Sequence, residues 1–335
     1  MQATHLSWTN WSSCCYVSQS QRLLFPGPRK RINNDLSTDN LHAKELPMTT
    51  LYSKRRHLKL LLALGMAALD SSSAWAQEQG VYRFSPVNQY GIELTASYWN
   101  PIIEYISAKS GVKLQLKIGR TSADTTAYVL ANEVEFVFSN HLFSPDRDHL
   151  GWKVFGRRNT PPLRSQIVVL ADSPITRLDQ LANLPVAFPG PEATLAYKFS
   201  YAELLNQKVP VNVVFAGNMD GAFAQLASGR VKAVGTHSQL SSGWSLREDK
   251  PLRTLWESEP LNDLALMASK RVAAKELAAV SRAFLEMGKD PLGQKVLASA
   301  AELVKLPPGT AFVASTSADY QAYRSFYQTA PPNLR

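Results

Sequence analysis

The run Trp99-Asn100-Pro101-Ile102-Ile103-Glu104-Tyr105-Ile106, followed by Ser110-Gly111-Val112-Lys113-Leu114-Gln115-Leu116-Lys117-Ile118, changes its hydrophobic period part-way. Trp99, Ile102, Ile103 and Ile106 recur at helical spacing, whereas Val112, Leu114, Leu116 and Ile118 alternate as on one face of a strand. Asn100 reads as the helix cap, Pro101 as its first turn and Gly111 as the residue just past its end. On either side the same change of period recurs. Residues 81–84 read as a strand, 122–131 as a helix and 134–138 as a strand. A β-α-β-α-β order of this kind predicts a parallel sheet with helices on its faces.

A second series follows. Strands are expected at 166–170, 186–188, 211–215 and 231–235. Helices are expected at 175–181, 192–206 and 218–228, the last ending at Gly229. Near the end, 264–268 is strand-like, and 272–287, 291–300 and 318–327 are helical. The expected class is α/β: a two-lobed clamshell, each lobe a mostly parallel sheet flanked by helices, joined by a hinge. Residues 77–164 form the first part of lobe 1, 165–240 lobe 2, and 241–335 the return to lobe 1 with C-terminal helices.

The first 76 residues read differently. Met48 is followed by Lys54-Arg55-Arg56, an apolar run over 60–69, and Ala74-Trp75-Ala76. This is the layout of a secretory signal peptide over 48–76 with cleavage after Ala76. The apolar run is too short to span a bilayer, which takes about 20 residues. Residues 1–47 are polar and aperiodic, and read as an over-extended gene start or a disordered segment. Residues 1–76 contain nine Lys/Arg and four Asp/Glu, so +5 of the net +9 leaves with them. Both cysteines, Cys14 and Cys15, leave too. The remaining 259 residues are cysteine-free with a net charge of +4, which excludes disulfides and thiolate chemistry. The expected product is an exported, periplasmic monomer, and export argues against nucleic acid as a partner despite the basic balance.

In open α/β sheets ligands sit beyond the carboxyl ends of the strands. That rule selects Ser85-Pro86, Thr121-Ser122, Ser139-Asn140-His141, residues 190–194, 217–220 and 236–238. Two lobes presenting such ends to one cleft can close around a small solute. The candidate ligand-binding residues are Ser85, Ser122, Asn140, His141, Thr194, Asn218, Thr236, His237 and Asp263. Tyr90, Tyr98 and Tyr197 are candidate apolar walls, or ordinary helix packing for the last two. Helices starting at 192–194 and at Asn218 could turn free N–H groups toward an anion. Asn218 reads equally well as an N-cap. Glu192 either complements its helix dipole from solvent or faces the cleft and selects a donor-rich ligand. The pairs Arg157-Arg158 and Arg271/Lys275 read as solvated faces.

Four segments resemble the substrate-binding proteins of phosphate, phosphite and phosphonate ABC transporters, within the type II periplasmic binding-protein superfamily. They are the quoted helix and strand, Val134-Glu135-Phe136-Val137-Phe138-Ser139-Asn140, Ser165-Gln166-Ile167-Val168-Val169 with Asp172-Ser173-Pro174-Ile175, and Phe215-Ala216-Gly217-Asn218 with Gly229-Arg230-Val231. The resemblance implies the clamshell, capture of a small polar or anionic solute, and delivery to an inner-membrane permease. It also implies a Ser-Thr-Ser-Gly phosphonate clamp, which here reads Ala193-Thr194-Leu195-Ala196 and keeps only the threonine. A ligand-contacting histidine of the family falls at Asn218, an aspartate at Lys232 and a tyrosine at Phe138. Two acidic residues that hold a substrate amine fall near Gln239 and Asp263.

Catalysis is not expected. Residues 77–335 hold three histidines (His141, His149, His237) with no zinc-ligand spacing, and no Gly-x-Ser-x-Gly, P-loop or dinucleotide fingerprint occurs. No metal and no cofactor are expected. A sensory module for a membrane receptor and an exported enzyme on the same scaffold are the other readings. N-terminal sequencing of the native protein tests the leader: the first residue is expected at Gln77, and a mature chain starting before residue 48 contradicts it.

Overall fold

The computed structural model describes residues 80–335. The expected signal peptide over 48–76 and the segment before it lie outside the described residues. Strand β1 (Tyr82–Pro86) leads to helix α1 (Ile92–Ser110), then β2 (Leu114–Leu116), α2 (Asp124–Leu130), β3 (Phe136–Ser139) and β4 (Lys153–Arg158). After a first crossover come β5 (Ser165–Leu170), β6 (Pro185–Phe188), a π-helical turn (Thr194–Phe199) running into α3 (Ser200–Asn206), β7 (Asn212–Phe215), α4 (Met219–Ala227), β8 (Ala233–His237), α5 (Ser238–Glu248) and β9 (Leu252–Glu257). A second crossover returns to β10 (Ala265–Ala268), α6 (Ala274–Glu286), α7 (Pro291–Leu303), β11 (Phe312–Ala314) and α8 (Gln321–Thr329).

The strands form two sheets, ordered β11-β4-β10-β3-β1-β2 and β7-β6-β8-β5-β9. Each is mixed rather than mostly parallel. β1 pairs in parallel with β2 and β3, and β6 with β7 and β8, as βα units require. The strands that adjoin the crossovers, β4, β5, β9 and β10, run antiparallel to their neighbours. The two crossovers meet at a single antiparallel bridge, Leu163 to Leu261, with both N–H···O distances at 2.7 Å. The return therefore lies at 258–264, not at 241: α5 and β9 belong to the second lobe.

Helix α1 starts well before Asn100, at Ile92, and carries Pro101 inside it. An internal proline costs about 3 kcal/mol or more through a lost hydrogen bond and a clash. Burial of Thr95, Tyr98 and Trp99 along the same face as Ile102, Ile103 and Ile106 outweighs that cost. Gly111 ends the helix at φ 69°, as its position predicts. Trp99 then packs between Phe84 (4.9 Å between ring centroids) and Phe138 (5.2 Å), the centre of the first lobe's core.

The second lobe is centred on Phe188, Ile167, Val186 and Leu204, all fully buried. Gly235 on β8 allows this packing. A Cβ at that position would overlap both the Phe188 ring and the Ala196 carbonyl oxygen, one of them backbone. Gly235→Ala is expected to destabilise the protein by about 3 kcal/mol, the upper end of overpacking costs. A shift in the urea midpoint at unchanged slope would measure it.

Candidate functional site

The facing ends of the two sheets enclose a cavity of about 30 Å³, lined by Gln89, Ser122, Asn140 and His141 from the first lobe and by Thr194 and His237 from the second. Backbone contacts hold the lobes together around it. The Ser122 N–H donates to the Gly217 carbonyl at 2.8 Å, and the Met219 N–H to the Gln89 carbonyl at 3.3 Å. The Gly91 N–H reaches across to Asp220 Oδ2 at 2.8 Å. Gly190 approaches Ser122 so closely that a Cβ would lie 2.6 Å from its hydroxyl.

Five of the expected ligand residues therefore meet: Ser122, Asn140, His141, Thr194 and His237. The other four do not line the cavity. Ser85 is buried with its hydroxyl 3.1 Å from that of Thr125. Asn218 is the N-cap of α4, its side chain accepting from the Gly221 N–H at 2.9 Å. Thr236 is fully buried beside His237, and its hydroxyl has no partner among the described residues. Asp263 is committed to an ion pair with Arg158. Among the aromatic candidates, Tyr98 packs edge-on against Trp99, and Tyr197 stacks on Tyr201. Tyr90 is buried under the Arg247 guanidinium, 5.5 Å from its ring centre. Gln89 was not expected, because β1 runs on to Pro86 and so moves its carboxyl end beyond Ser85.

The donors at this site are neutral. Burial pushes His141 down to about 3, reinforced by Arg147 and Lys198 and opposed by Glu192. Burial likewise pushes His237 down to about 4, with Asp263 opposing and Arg158 reinforcing. Each ring then offers one N–H and one acceptor. His237 Nε2 lies 3.1 Å from Gln89 Nε2, which carries only hydrogens, so Nε2 accepts and Nδ1 carries the proton. That buried Nδ1–H has no partner among the described residues, and neither has the Ser122 hydroxyl. Thr194 opens a helix whose first intrahelical bonds begin at Tyr197 and Lys198, both to the Ala193 carbonyl. The N–H groups of Thr194, Leu195 and Ala196 are thus the helix's free donors, and all three residues line the cavity.

Two arginine–carboxylate pairs flank the histidines. On the His141 side, Arg147 Nη1 lies 2.7 Å from Glu192 Oε2, across the lobes. Burial opposes the charge on Glu192, but its pairing with Arg147 prevails and holds it below the usual carboxylate range. Glu192 therefore faces an arginine rather than open solvent. On the His237 side, Arg158 donates from Nε to Asp263 Oδ2 at 2.7 Å and from Nη2 to Oδ1 at 3.1 Å. Arg158 is 1% exposed, so the expectation of a solvated Arg157-Arg158 face fails for its second member. Lys198 is buried behind Thr194 and forms no ion pair among the described residues; its ammonium lies 5.0 Å from the Tyr327 ring centre. Arg147 also lies 3.8 Å from Asp146, so Arg147, Arg158 and Lys198 are balanced by Asp146, Glu192 and Asp263, with Lys198 the member that pairs with none of these carboxylates. Among the described residues no cluster of His, Asp or Glu could hold a metal ion, and no helix is long and apolar enough to cross a membrane.

A family model described as the periplasmic substrate-binding protein of phosphonate ABC transporters matches residues 84–320. The chain belongs to this family. Solved structures agree on the fold. A binding-protein component of an ABC phosphonate transporter from Pseudomonas aeruginosa superposes with a TM-score of 0.64 at 15% identity, over 75% of this chain and 87% of that one. A Prochlorococcus marinus protein in complex with methylphosphonate gives 0.60 at 16% identity, over 74% and 96%. A Xanthomonas citri protein bound to ATP gives 0.57 at 12%, over 74% and 97%. No curated protein matches the sequence.

The two histidines set an acid limit. Their native values lie below the ordinary 6.5, so the unfolded chain binds more protons between about pH 4 and 6.5, and stability rises with pH there. Each histidine is expected to cost about 1.4 kcal/mol per pH unit on acidification through that window, with full stability above it. Urea titrations from pH 4 to 7 check this, and His237→Gln is expected to flatten part of the slope.

Proposed function

We propose that this family member is the solute receptor of a phosphonate-type ABC importer, exported by the 48–76 leader. In this reading it closes its lobes on the head group of a small oxyacid and passes it to a membrane permease. One observation carries the reading. The Ser122 hydroxyl and the His237 Nδ1–H are buried without partners at a cavity that also receives the free N–H end of the helix opened by Thr194. Leaving such donors unpaired costs about 1–3 kcal/mol each, a cost that a bound oxyanion would remove. The unpaired charge of Lys198 favours an anion, and neutral histidines suit it by donating without a competing counter-ion.

The size of the space supports a compact ligand. About 30 Å³ holds roughly two waters, so the head group fits only as the lobes part and reclose around it. That the Prochlorococcus relative holds methylphosphonate adds to the case for this head group. With the serines of the clamp replaced at Ala193 and Leu195, the Ser122 hydroxyl across the cleft would be a free side-chain donor, and the Thr194 hydroxyl would turn to the ligand from the Asn140 carbonyl, to which it donates at 3.3 Å.

Thermal-shift measurements with methylphosphonate, phosphite, phosphate, methanesulfonate and an alkylamine test the reading. A cognate solute at 100 times its Kd adds about 2.7 kcal/mol of stability. Phosphonate or phosphite is expected to raise Tm, and Ser122→Ala or Thr194→Ala to weaken binding about tenfold, the value of one charge-assisted hydrogen bond. If none of the oxyanions raises Tm, or if Thr194→Ala binds as tightly as the parent, the reading is wrong.

A further inference from the structure

The largest fully buried side chain of the described residues is that of an arginine. Arg158 ends β4 and points to where the second crossover rejoins the first lobe. Its partner Asp263 precedes Leu264, and its other acceptor, Gln239 Oε1 at 3.0 Å, lies between His237 and Leu240. Leu264, His237 and Leu240 all line the solute cavity. The ion pair therefore lies directly behind the inner end of the cavity, next in sequence to residues that line it.

Asp263 has no acceptor capacity left. It receives Arg158 Nε and Nη2, the Thr160 hydroxyl at 3.0 Å and the Leu264 N–H at 2.7 Å. A carboxylate offers about four lone-pair sites, and all are taken. With Gln239 Oε1 also occupied, its buried Nε2 is left without a partner, as is His237 Nδ1. Unpaired donors thus stand at and behind the inner end, backed by a guanidinium that does not lose its proton. The other carboxylate flanking the cavity, Glu192, is paired with Arg147.

We infer that Arg158 is a built-in counter-ion that neutralises Asp263 behind the inner end of the cavity and makes the receptor reject solutes carrying an ammonium group. This rests on the cavity being the solute site. An ammonium brings three donors and a positive charge toward a carboxylate that is already saturated and neutralised by Arg158. An alkyl group, or a further acceptor, meets no such conflict.

Isothermal titration of the full protein with methyl-, ethyl- and propylphosphonate, and with the ω-amino analogues of one to three methylenes, tests it. The wild type is expected to bind each amino compound at least tenfold more weakly than its alkyl counterpart. Arg158→Ala frees Asp263 and is expected to gain at least tenfold for one amino compound, a gain that Arg158→Ala/Asp263→Asn loses. Amino and alkyl compounds binding the wild type within threefold of each other overturns the inference, whether or not the variants fold. So does a folded Arg158→Ala that binds alkylphosphonates and gains nothing for the amines. Failure of every phosphonate to bind the wild type overturns the proposed solute class, and the inference with it.

Discussion

A guanidinium taken out of water must be met by a carboxylate, and in this chain that requirement ties together segments that are remote in sequence. Arg158 and Asp263 are 105 positions apart, and both are essentially inaccessible. The effective cost of dehydrating each ion is several kcal/mol, repaid only with good geometry and full hydrogen bonding. Here the geometry is bidentate, Thr160 and the Leu264 N–H complete the carboxylate, and the Phe138 ring lies 4.8 Å from the guanidinium carbon. Because Thr160 belongs to the first crossover and Asp263 to the second, the pair fixes both where they leave the first sheet. The Leu163–Leu261 bridge lies just beyond, so the joint between the lobes has a clamped base.

The other ion pair at the cleft has a different character. Arg147 and Glu192 belong to opposite lobes, and their side chains keep 12% and 23% of their exposure. A pair that stays partly wet gains less on forming and loses less on breaking. That suits a contact made and released as lobes move, whereas the dry Arg158–Asp263 pair suits a permanent one. Among the described residues, only the Arg158–Gln239 bond reaches from that permanent pair into the second lobe. The C-terminal segment adds an apolar link: Tyr320, just before α8, stacks on Phe143 at 4.4 Å in the first lobe, and Phe326 of α8 on Phe199 at 4.0 Å in the second.

Much of this was legible in the sequence, and what was not has identifiable causes. The alternation of periods gave two α/β lobes, and the rule of strand ends led to Ser122, Asn140, His141, Thr194 and His237. Strand β4, Lys153-Val154-Phe155-Gly156-Arg157-Arg158, was invisible because a charged, glycine-containing run does not look like a strand inside a sheet. Its burial depends on a carboxylate that no local pattern reveals. Helix α5 has a serine-rich sequence with Gly243 near its middle, and its packing rests on Leu240 and on Trp244 stacked at 4.7 Å on Phe223. Missing α5 and β9 moved the lobe boundary. The mixed sheets follow from the crossovers, since strand direction is a property of connection and not of composition.

The order of strands in the first sheet governs how the chain can be made. β10 lies between β3 and β4, yet it is encoded after the whole of the second lobe. When residues 80–158 have been synthesised, β4 has no neighbour within its own segment, because both of its partners, β10 and β11, are still to come. Arg158 likewise waits for Asp263. A nascent chain of this topology can complete the second lobe's sheet before the first, which stays unfinished while residues 258–335 have yet to emerge. For the export proposed above, which threads an unfolded chain through a membrane pore, the discontinuous sheet would supply the delay from its wiring alone.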